Sequence, residues 1–411
     1  MSLFWVDDQR GYRLSYRDLI EELNKRDIRH PVVKTDDPAE LFIELLLAIF
    51  DDGELVLLDA DFSDDTLSQL GFGEAALSKE EPMSEIGIEH PREISSKIGQ
   101  VDDNWSLGLY TSGTTGSPER VEQTLDGLTR NVKRDEKFKN DVWAFAYNPS
   151  HFAGLQVFFQ AIVNINTLIY IFEQNVDQIQ DAIEKYDVTH ISTTPTFYRL
   201  RLQRINGEFP TVRRLTSGGE RFEPSLKQSL QDLFPNAKFR NIYALTEAGS
   251  LLESDGELFE IPLRFNDQIR VTEDNELAIH ESLLADSVAS NIEDGWFCTG
   301  DLVEYVTGEQ FKFVGRESDV VNIGGYRVNP HEVEELINKL DDVKAATVIA
   351  RESNVTGHIL VAEVEAVAGA DSARVKEAVK SKVDALEKWK QPRVVEVVEA
   401  INQSRSGKRV R

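Results

Sequence analysis

The chain is organised around one loop, Tyr110-Thr111-Ser112-Gly113-Thr114-Thr115-Gly116-Ser117-Pro118. The apolar residues of the segment just before it, residues 103–109, indicate the end of a buried strand. Every residue from Thr111 to Ser117 is Ser, Thr or Gly. Glycine lets the backbone fold closely around a ligand, and hydroxyl and backbone N–H groups hydrogen-bond phosphate oxygens. The loop therefore predicts a phosphate-binding site, and a flexible surface loop is the alternative.

Charge is distributed unevenly along the 411 residues, which carry a formal net charge of −27. The acidic excess lies entirely in residues 1–314, because residues 315–411 hold 16 basic and 16 acidic side chains. An acidic body argues against non-specific binding to nucleic acids and to anionic membrane surfaces. Residues 374–411 are basic, with 11 basic against 5 acidic side chains. This basic tail is either a contact for an anionic ligand or partner, or a solvated helix and tail.

Cysteine usage and the first residues indicate a cytosolic protein. Cys298 is the only cysteine, which excludes a disulfide framework and a cysteine-based metal site. The first eight residues lack a basic region and a long apolar core, so we expect no signal peptide. The most apolar stretch, residues 155–172, is interrupted by Gln and Asn side chains. It predicts a buried helix followed by a buried strand, and no membrane span.

Helical and strand patterns alternate from residue 36 to residue 243, as a doubly wound sheet requires. The helix predicted for residues 38–50 begins with an Asp cap and Pro and is apolar on most sides, so we expect it to be sandwiched. Residues 72–104 predict a loose connection and residues 124–138 a helix. We predict an α/β fold with a large N-terminal domain of doubly wound sheets, a small β-barrel-like part and a small α+β C-terminal domain.

Several short blocks follow the loop in order. They are residues 149–155 (PSHFAGL), 217–220 (SGGE), 241–247 (NIYALTE), 294–302 (DGWFCTGDL), 313–328 (FVGRESDVVNIGGYRV) and 404–409 (SRSGKR). Each block alone is weak, but their order and spacing extend over nearly the whole chain. With residues 110–121 they resemble the motifs of the adenylate-forming superfamily, which contains acyl- and aryl-CoA synthetases, adenylation domains of non-ribosomal peptide synthetases, and luciferases. A P-loop nucleotidase is excluded, because residues 116–118 offer no GK[ST] sequence.

The resemblance implies an ATP site at which a carboxylate attacks the α-phosphate and expels pyrophosphate, so that donors and cations must surround the oxygens that gain charge. Thr246 would contact the α-phosphate, and Glu247 would bind Mg²⁺. Asp301 would accept both ribose hydroxyls, and Arg316 would reach ribose or phosphate. The other implied nucleotide-binding residues are Thr111, Ser112, Gly113, Thr114, Thr115 and Gly116 at the β- and γ-phosphates, and Gly218, Gly219, Glu220, Asn241, Tyr243 and Ala244 in the blocks around adenine.

The resemblance also implies two half-reactions. Lys408 would bridge the substrate carboxylate and the α-phosphate in the first, and rotation of the C-terminal domain would complete the thioester-forming site for the second. The expected domains are residues 1–315 as the adenylation core, 316–319 as a hinge centred on Ser318, and 320–411 as a mobile α+β lid domain. The implied acid and thiol path comprises His151, Phe152, Gly154, Gly324 and Gly325.

The chain departs from the family pattern at several positions. Glu119 and Arg120 stand where the phosphate loop usually has lysine and glycine, and Arg120 is a candidate for the missing cation. Ser318 replaces the usual Asp or Lys of the hinge. Ala244 replaces a glycine, and its methyl group would shorten the acyl pocket and favour small or slim acids. The chain is also shorter than most members, with the deficit before residue 110.

The segment after Pro149 has no Asp placed to pair with an α-ammonium group, and it resembles acyl and aryl acid ligases. We therefore predict an ATP- and Mg²⁺-dependent acid–thiol ligase for a carboxylic acid without a free α-amino group. The thiol belongs either to CoA or to the phosphopantetheine arm of a carrier protein. Two alternatives stay open, a catalytically reduced homologue that only binds a ligand, and an enzyme that forms the adenylate without the thioester.

Overall fold

The structure is a computed structural model that describes residues 2–101, 105–112, 118–220, 222, 224–285, 292–323, 326–353 and 357–401. Its α-helices are α1 (Tyr16–Lys25), α2 (Pro38–Phe50), α3 (Asp64–Gln69), α4 (Glu74–Leu77), α5 (Pro91–Ile98), α6 (Leu125–Thr129), α7 (Phe152–Val163), α8 (Val176–Lys185), α9 (Pro195–Leu200), α10 (Pro224–Leu233), α11 (Pro330–Ile337) and α12 (Ser372–Val383). Among the residues described, no helix is both long and apolar enough to cross a bilayer.

The β-strands run through the whole described chain. They are β1 (Leu3–Asp7), β2 (Tyr12–Ser15), β3 (Ile28–Arg29), β4 (Val32–Val33), β5 (Leu55–Leu57), β6 (Glu81–Pro82), β7 (Ser106–Ser112), β8 (Pro118–Thr124), β9 (Val142–Phe145), β10 (Thr167–Tyr170), β11 (His190–Thr193), β12 (Arg214–Gly218), β13 (Lys238–Leu245), β14 (Gly249–Ser254), β15 (Ile269–Val271), β16 (Glu276–His280), β17 (Ile292–Glu293), β18 (Trp296–Thr307), β19 (Gln310–Arg316), β20 (Val321–Ile323), β21 (Tyr326–Val328), β22 (Val343–Ser353), β23 (Gly357–Ala366) and β24 (Val394–Val398).

The main sheet has eight strands in the order β14-β13-β12-β11-β9-β10-β1-β2. Its inner pairs, from β13 to β1, are parallel, and its two outer pairs are antiparallel. Both faces are covered. Trp5 and Phe145 belong to one core, and their neighbours Val6 and Ala144 belong to a second core. Strands buried on both faces require continuous apolar runs, which is why their sequences lack the alternation of a half-exposed sheet.

A smaller sheet, β4-β5-β7-β8, contains the strands on either side of residues 113–117. Helix α2 begins as predicted, with the Asp37 side chain accepting from Ala39 N and with Pro38 in the first turn. It is buried on almost every side, and Phe42 stacks on Phe158 of α7 with ring centroids 4.2 Å apart. The prediction of a sandwiched helix is confirmed.

Two local predictions were wrong. Residues 72–104 contain helix α5, whose first turn is capped by His90 and whose Ile94 and Ile98 are buried. The helix predicted for residues 124–138 ends at Thr129, because the Gln160 side chain takes both the N–H and the C=O of Lys133, the main-chain groups that a continuing helix would use.

The chain divides into two compact units, residues 1–257 with 280–295, and residues 258–279 with 296–411. In the second unit β15, β16 and β18 form a sheet extended by β19, and β22, β23 and β24 form another that packs with α11 and α12 around valine side chains. The helices and strands predicted after residue 330 are confirmed. Ser318 lies in a 3₁₀ turn, Glu317–Asp319, and the hinge and the boundaries at 315 and 320 stay predictions.

His190 is a buried base at the start of β11, stacked on the Trp143 ring at 4.5 Å. Burial, with Arg214 and Arg213 as further causes, lowers the pKa of its imidazole from 6.5 to about 3. The side chain is therefore neutral at pH 7. Asp141, 3.6 Å from the ring, forms its ion pair with Arg213 at 2.9 Å.

We predict that His190 makes the folded chain acid-sensitive below pH 6.5. His190 binds a proton near pH 6.5 in the unfolded chain but only near pH 3 in the folded chain. The free energy of unfolding therefore decreases as the pH is lowered from 6.5 towards 3. For this one group the decrease from pH 7 to pH 5 is about 2 kcal/mol. Urea unfolding of His190→Gln should show a correspondingly smaller loss over that range. The parent chain, measured over the same pH range, is the control. An unchanged slope in His190→Gln would contradict the assignment.

Candidate active site

The carboxyl ends of β12 and β13 bring two of the sequence blocks to one edge of the main sheet. The strands are parallel, with Ser217 opposite Asn241 and Gly218 opposite Ile242. A Cβ atom built on Gly218 would lie 3.1 Å from the Ile242 carbonyl oxygen, and Gly219 has a φ of +79°. A glycine is thus needed for close packing at the first position and for the left-handed backbone at the second.

Two of the predicted adenine-block residues also shape the protein itself. Asn241 is buried and donates from Nδ2 to the Gly256 carbonyl at 2.9 Å, which ties β13 to the end of β14. The Glu220 carboxylate accepts from Thr196 N at 2.9 Å, in the first turn of α9. Both side chains therefore fix the backbone around the edge, whether or not they touch a ligand.

Tyr243 stands next to an irregularity in the sheet. The pairing of β13 with β14 shifts register between Tyr243 and Ala244, and such bulges redirect side chains near functional sites. Tyr243 and Ala244 are both partly buried, and Ala244 packs against the first core. Tyr243 supplies an aromatic ring at this edge of the sheet, and such a ring can stack on a planar ligand.

The turn after β13 carries Thr246 and Glu247, and its main chain is held from two sides. The Thr246 carbonyl accepts from the Gln123 side chain of β8. The Glu247 carbonyl accepts from Ala285 N at 2.7 Å. Both residues are partly exposed, so a residue with a hydroxyl and a residue with a carboxylate follow each other on a turn whose main chain is fixed.

The predicted acid segment meets the same turn. Phe152 is buried, and a Cβ atom built on Gly249, which follows the turn, would lie 3.7 Å from its ring. His151 is the N-cap residue of α7 without a capping side-chain hydrogen bond. Its Nε2 atom lies 3.0 Å from Oδ2 of Asp59, which follows β5. Asn148 donates to the same carboxylate oxygen, also at 3.0 Å. The structure thus places His151, Phe152 and the Thr246 turn in one compact unit.

Asp301 and Arg316 form a cross-strand pair in the second unit. They are direct partners on β18 and β19, with Arg316 Nε 2.9 Å from Asp301 Oδ1. The carboxylate is nearly buried, while half of the Arg316 side chain is exposed. Thr299 Oγ1 accepts from Asp301 N at 3.1 Å and so fixes the backbone at the acid.

Part of the predicted site lies outside the described residues, namely Gly113, Thr114, Thr115, Gly116, Gly324, Gly325 and Lys408. Thr111 and Ser112 are described only as the end of β7, opposite Glu119 and Pro118 on β8. The interpretation of Arg120 as the missing cation stays a prediction. Its guanidinium lies beside Gly108 and pairs with Glu122 at 2.5 Å.

Sequence reasoning missed Asp59, Asn148 and Gln123. Residues 54–59 predict a buried strand that ends at Asp59, and Gln123 lies just before the helix predicted from residue 124, so neither residue was singled out. All three act through contacts that join residues far apart in sequence, 89 positions for Asn148 with Asp59 and 123 for Gln123 with Thr246. A charged residue at the end of an apolar strand was the signal available for Asp59.

Comparison with known proteins identifies the family. The model of the AMP-binding enzyme family matches residues 54–275, and that of the AMP-binding enzyme C-terminal domain matches residues 332–408. The chain belongs to the AMP-binding enzyme family. The superfamily and the fold class predicted from the sequence are confirmed.

Relatives and solved structures agree with this assignment. The 2-succinylbenzoate–CoA ligase of Bacillus pumilus (strain SAFR-032) is 28% identical over 322 residues, which cover 70% of this chain and 64% of that protein. ATP-bound MatB from Rhodopseudomonas palustris has the same fold, with a TM-score of 0.73, 18% identity and coverage of 99% and 94%. MenE from Bacillus subtilis, in complex with ATP and a magnesium ion, has the same fold with a TM-score of 0.70 and 18% identity. The match covers 99% of this chain and 95% of that one. The first relative is by name a CoA ligase, the enzyme class that the sequence predicts.

Substitution of Gly154 tests how closely α7 packs against the residues before it. A Cβ atom there would lie 2.4 Å from the Asn148 carbonyl oxygen and 3.2 Å from the Phe145 ring. We predict that Gly154→Ala lowers the free energy of unfolding by about 1–3 kcal/mol despite the better helix propensity of alanine, because backbone must move. Urea unfolding measures this. Gly256→Ala, where nothing lies within 4 Å, should stay within about 0.5 kcal/mol of the parent. Equal losses in both variants would contradict the account.

Proposed function

We propose that this protein is an ATP-dependent, AMP-forming ligase that joins a carboxylic acid to a thiol through an acyl-adenylate. The observation that carries the proposal is the turn at Thr246 and Glu247. It places Thr246 and Glu247 at the carboxyl edge of a parallel sheet, directly after the strand that contains Tyr243, and ligands of open α/β sheets bind at that edge. Family membership and the CoA ligase activity named for the relative from Bacillus pumilus support it.

The residues of this turn fit a nucleotide with Mg²⁺. Magnesium binds through one or two protein carboxylates together with substrate phosphates, and Glu247 supplies such a carboxylate. When bound, the ion neutralises charge on the phosphate oxygens. Thr246 donates its hydroxyl to the α-phosphate, and Tyr243 stacks on the adenine ring. Asp301 accepts the ribose hydroxyls, a role for which its near-burial and its pairing with Arg316 hold the carboxylate in one orientation.

Two steps complete the reaction. In the first, a carboxylate oxygen of the acid bonds to the α-phosphorus of ATP, and the bond to the leaving pyrophosphate breaks. Lys408 bridges the two anionic reactants and so offsets their repulsion. In the second, the thiol sulfur bonds to the acyl carbon, AMP leaves, and the thiol proton is released. Between the two steps, we propose, residues 320–411 rotate about Ser318.

The acid is proposed to lack a free α-amino group. Asp59, the carboxylate beside His151, is engaged by His151 and by Asn148, so it is already paired within the protein. The relative that is a 2-succinylbenzoate–CoA ligase acts on an acid of this kind. CoA is the thiol acceptor that this relative's name supports, and the phosphopantetheine of a carrier protein is the second candidate.

We predict that the full chain catalyses acid-dependent exchange of labelled pyrophosphate into ATP. The panel should hold short aliphatic acids, aromatic acids, 2-succinylbenzoate and, as the class expected to fail, free amino acids. An active acid should then give a thioester with CoA or with a loaded carrier protein. ATP binding without exchange for any acid would favour the binding-protein alternative and contradict the proposal. Exchange with accumulation of acyl-AMP in the presence of both thiols would limit the activity to adenylation.

A further inference from the structure

Gln123 is a buried polar residue whose side chain is directed at the candidate site. It lies on β8, opposite Leu107 of β7, and only 2% of its surface is exposed. Its Nε2 atom donates to the Thr246 carbonyl. Burying an amide side chain costs free energy unless it is hydrogen-bonded, and the bond to the main chain of the turn satisfies this donor.

The chain makes room for this amide. A Cβ atom built on Gly127, in α6, would lie 2.6 Å from Gln123 Oε1. Any other residue at position 127 would displace the side chain or the helix. The Thr124 hydroxyl accepts from Gly127 N at 3.1 Å and holds the helix start in place. Gln123, Thr124 and Gly127 therefore form one local arrangement that fixes where the amide points.

The same segment holds the far side of the turn. Asn131 Nδ2 donates to the Ser250 carbonyl at 2.7 Å. Gly249 has a φ of +77°, and a Cβ atom there would lie 3.3 Å from the Gly127 carbonyl oxygen. Residues 123–131 thus contact the turn at Thr246 and the start of β14 at Gly249 and Ser250.

This segment follows directly after the hairpin of β7 and β8. β7 ends at Ser112, β8 begins at Pro118, and the two strands are paired from end to end. The Gln123 bond therefore joins the hairpin of residues 106–124 to the turn of Thr246 and Glu247. Reacting groups must be held to within about half an ångström, and a side chain locked by packing is the usual way to achieve this.

We propose that Gln123 is a positioning residue that sets the Thr246–Glu247 turn relative to the hairpin of the phosphate loop. The inference rests on the proposed function, because Thr246 and Glu247 gain their roles from it. Gln123 itself touches neither reactant. It acts on the α-phosphate donor and on the Mg²⁺ ligand through the main chain that carries both.

Gln123→Leu tests the proposal, because it keeps most of the volume and removes the donor. Gln174→Leu is the matched control, since Gln174 is also 2% exposed and donates from its side-chain amide to a main-chain carbonyl outside residues 123–131, that of Tyr170 at 2.7 Å. Calorimetry with ATP, with and without Mg²⁺, measures the strengthening of ATP binding by the ion. The ratio of the ATP dissociation constants without and with Mg²⁺ expresses this strengthening. We expect the ratio to fall about tenfold in Gln123→Leu and to stay within about twofold of the parent in the control.

A double variant separates positioning from general destabilisation. Pyrophosphate exchange with an active acid should fall by about tenfold or more in Gln123→Leu, chiefly through kcat, with the KM for the acid nearly unchanged. In a Glu247→Gln background, Gln123→Leu should add little further loss, because both changes act through one turn.

Three results would overturn the proposal. They are equal behaviour of Gln123→Leu and the parent, equal loss in Gln174→Leu, or losses that multiply in the double variant. Absence of exchange in the parent for every acid would instead overturn the proposed function, and the positioning role with it.

Discussion

The parallel pairing of β12 with β13 is the constraint on which the candidate site depends. It sets Gly218 opposite Ile242, where a Cβ atom on Gly218 would lie 3.1 Å from the Ile242 carbonyl oxygen, a tight contact. From there β13 continues through a bulge at Tyr243 and ends in the turn that presents Thr246 and Glu247. Groups that are separated by many residues in sequence thus meet at the carboxyl edge of the sheet. The main-chain hydrogen bonds between the strands set the position of this edge.

A second layer of contacts turns this edge into a fixed site. Gln123 and Ala285 bond the main chain of the turn, and Asn148 and His151 converge on the carboxylate of Asp59. Buried polar groups of this kind are retained when they are fully satisfied, because they then specify one arrangement of the backbone. The conformation of the site is therefore set largely by residues that touch no reactant.

The sequence predicted the parts that depend on local chemistry. The cap at Asp37 and the alternation of helices and strands could be predicted directly, because each depends on neighbours in the chain. The blocks around Gly218, Asn241 and Glu247 gained their meaning only from their order and from the family that they resemble. Contacts across the fold could not. Asp59 meets His151 from a strand 92 positions earlier. The helix predicted beyond Thr129 stops because Gln160 takes the main-chain groups of the following residues, which no local pattern indicates.

The fate of the carboxylate oxygen tests the central claim most directly. An active acid labelled with ¹⁸O in both carboxylate oxygens is turned over with ATP and CoA, and the products are analysed by mass spectrometry. Attack of the carboxylate on the α-phosphorus, with Thr246 and Glu247 in their proposed roles, places one labelled oxygen in AMP and none in pyrophosphate. Label in inorganic phosphate together with ADP, or AMP without label, would contradict the account.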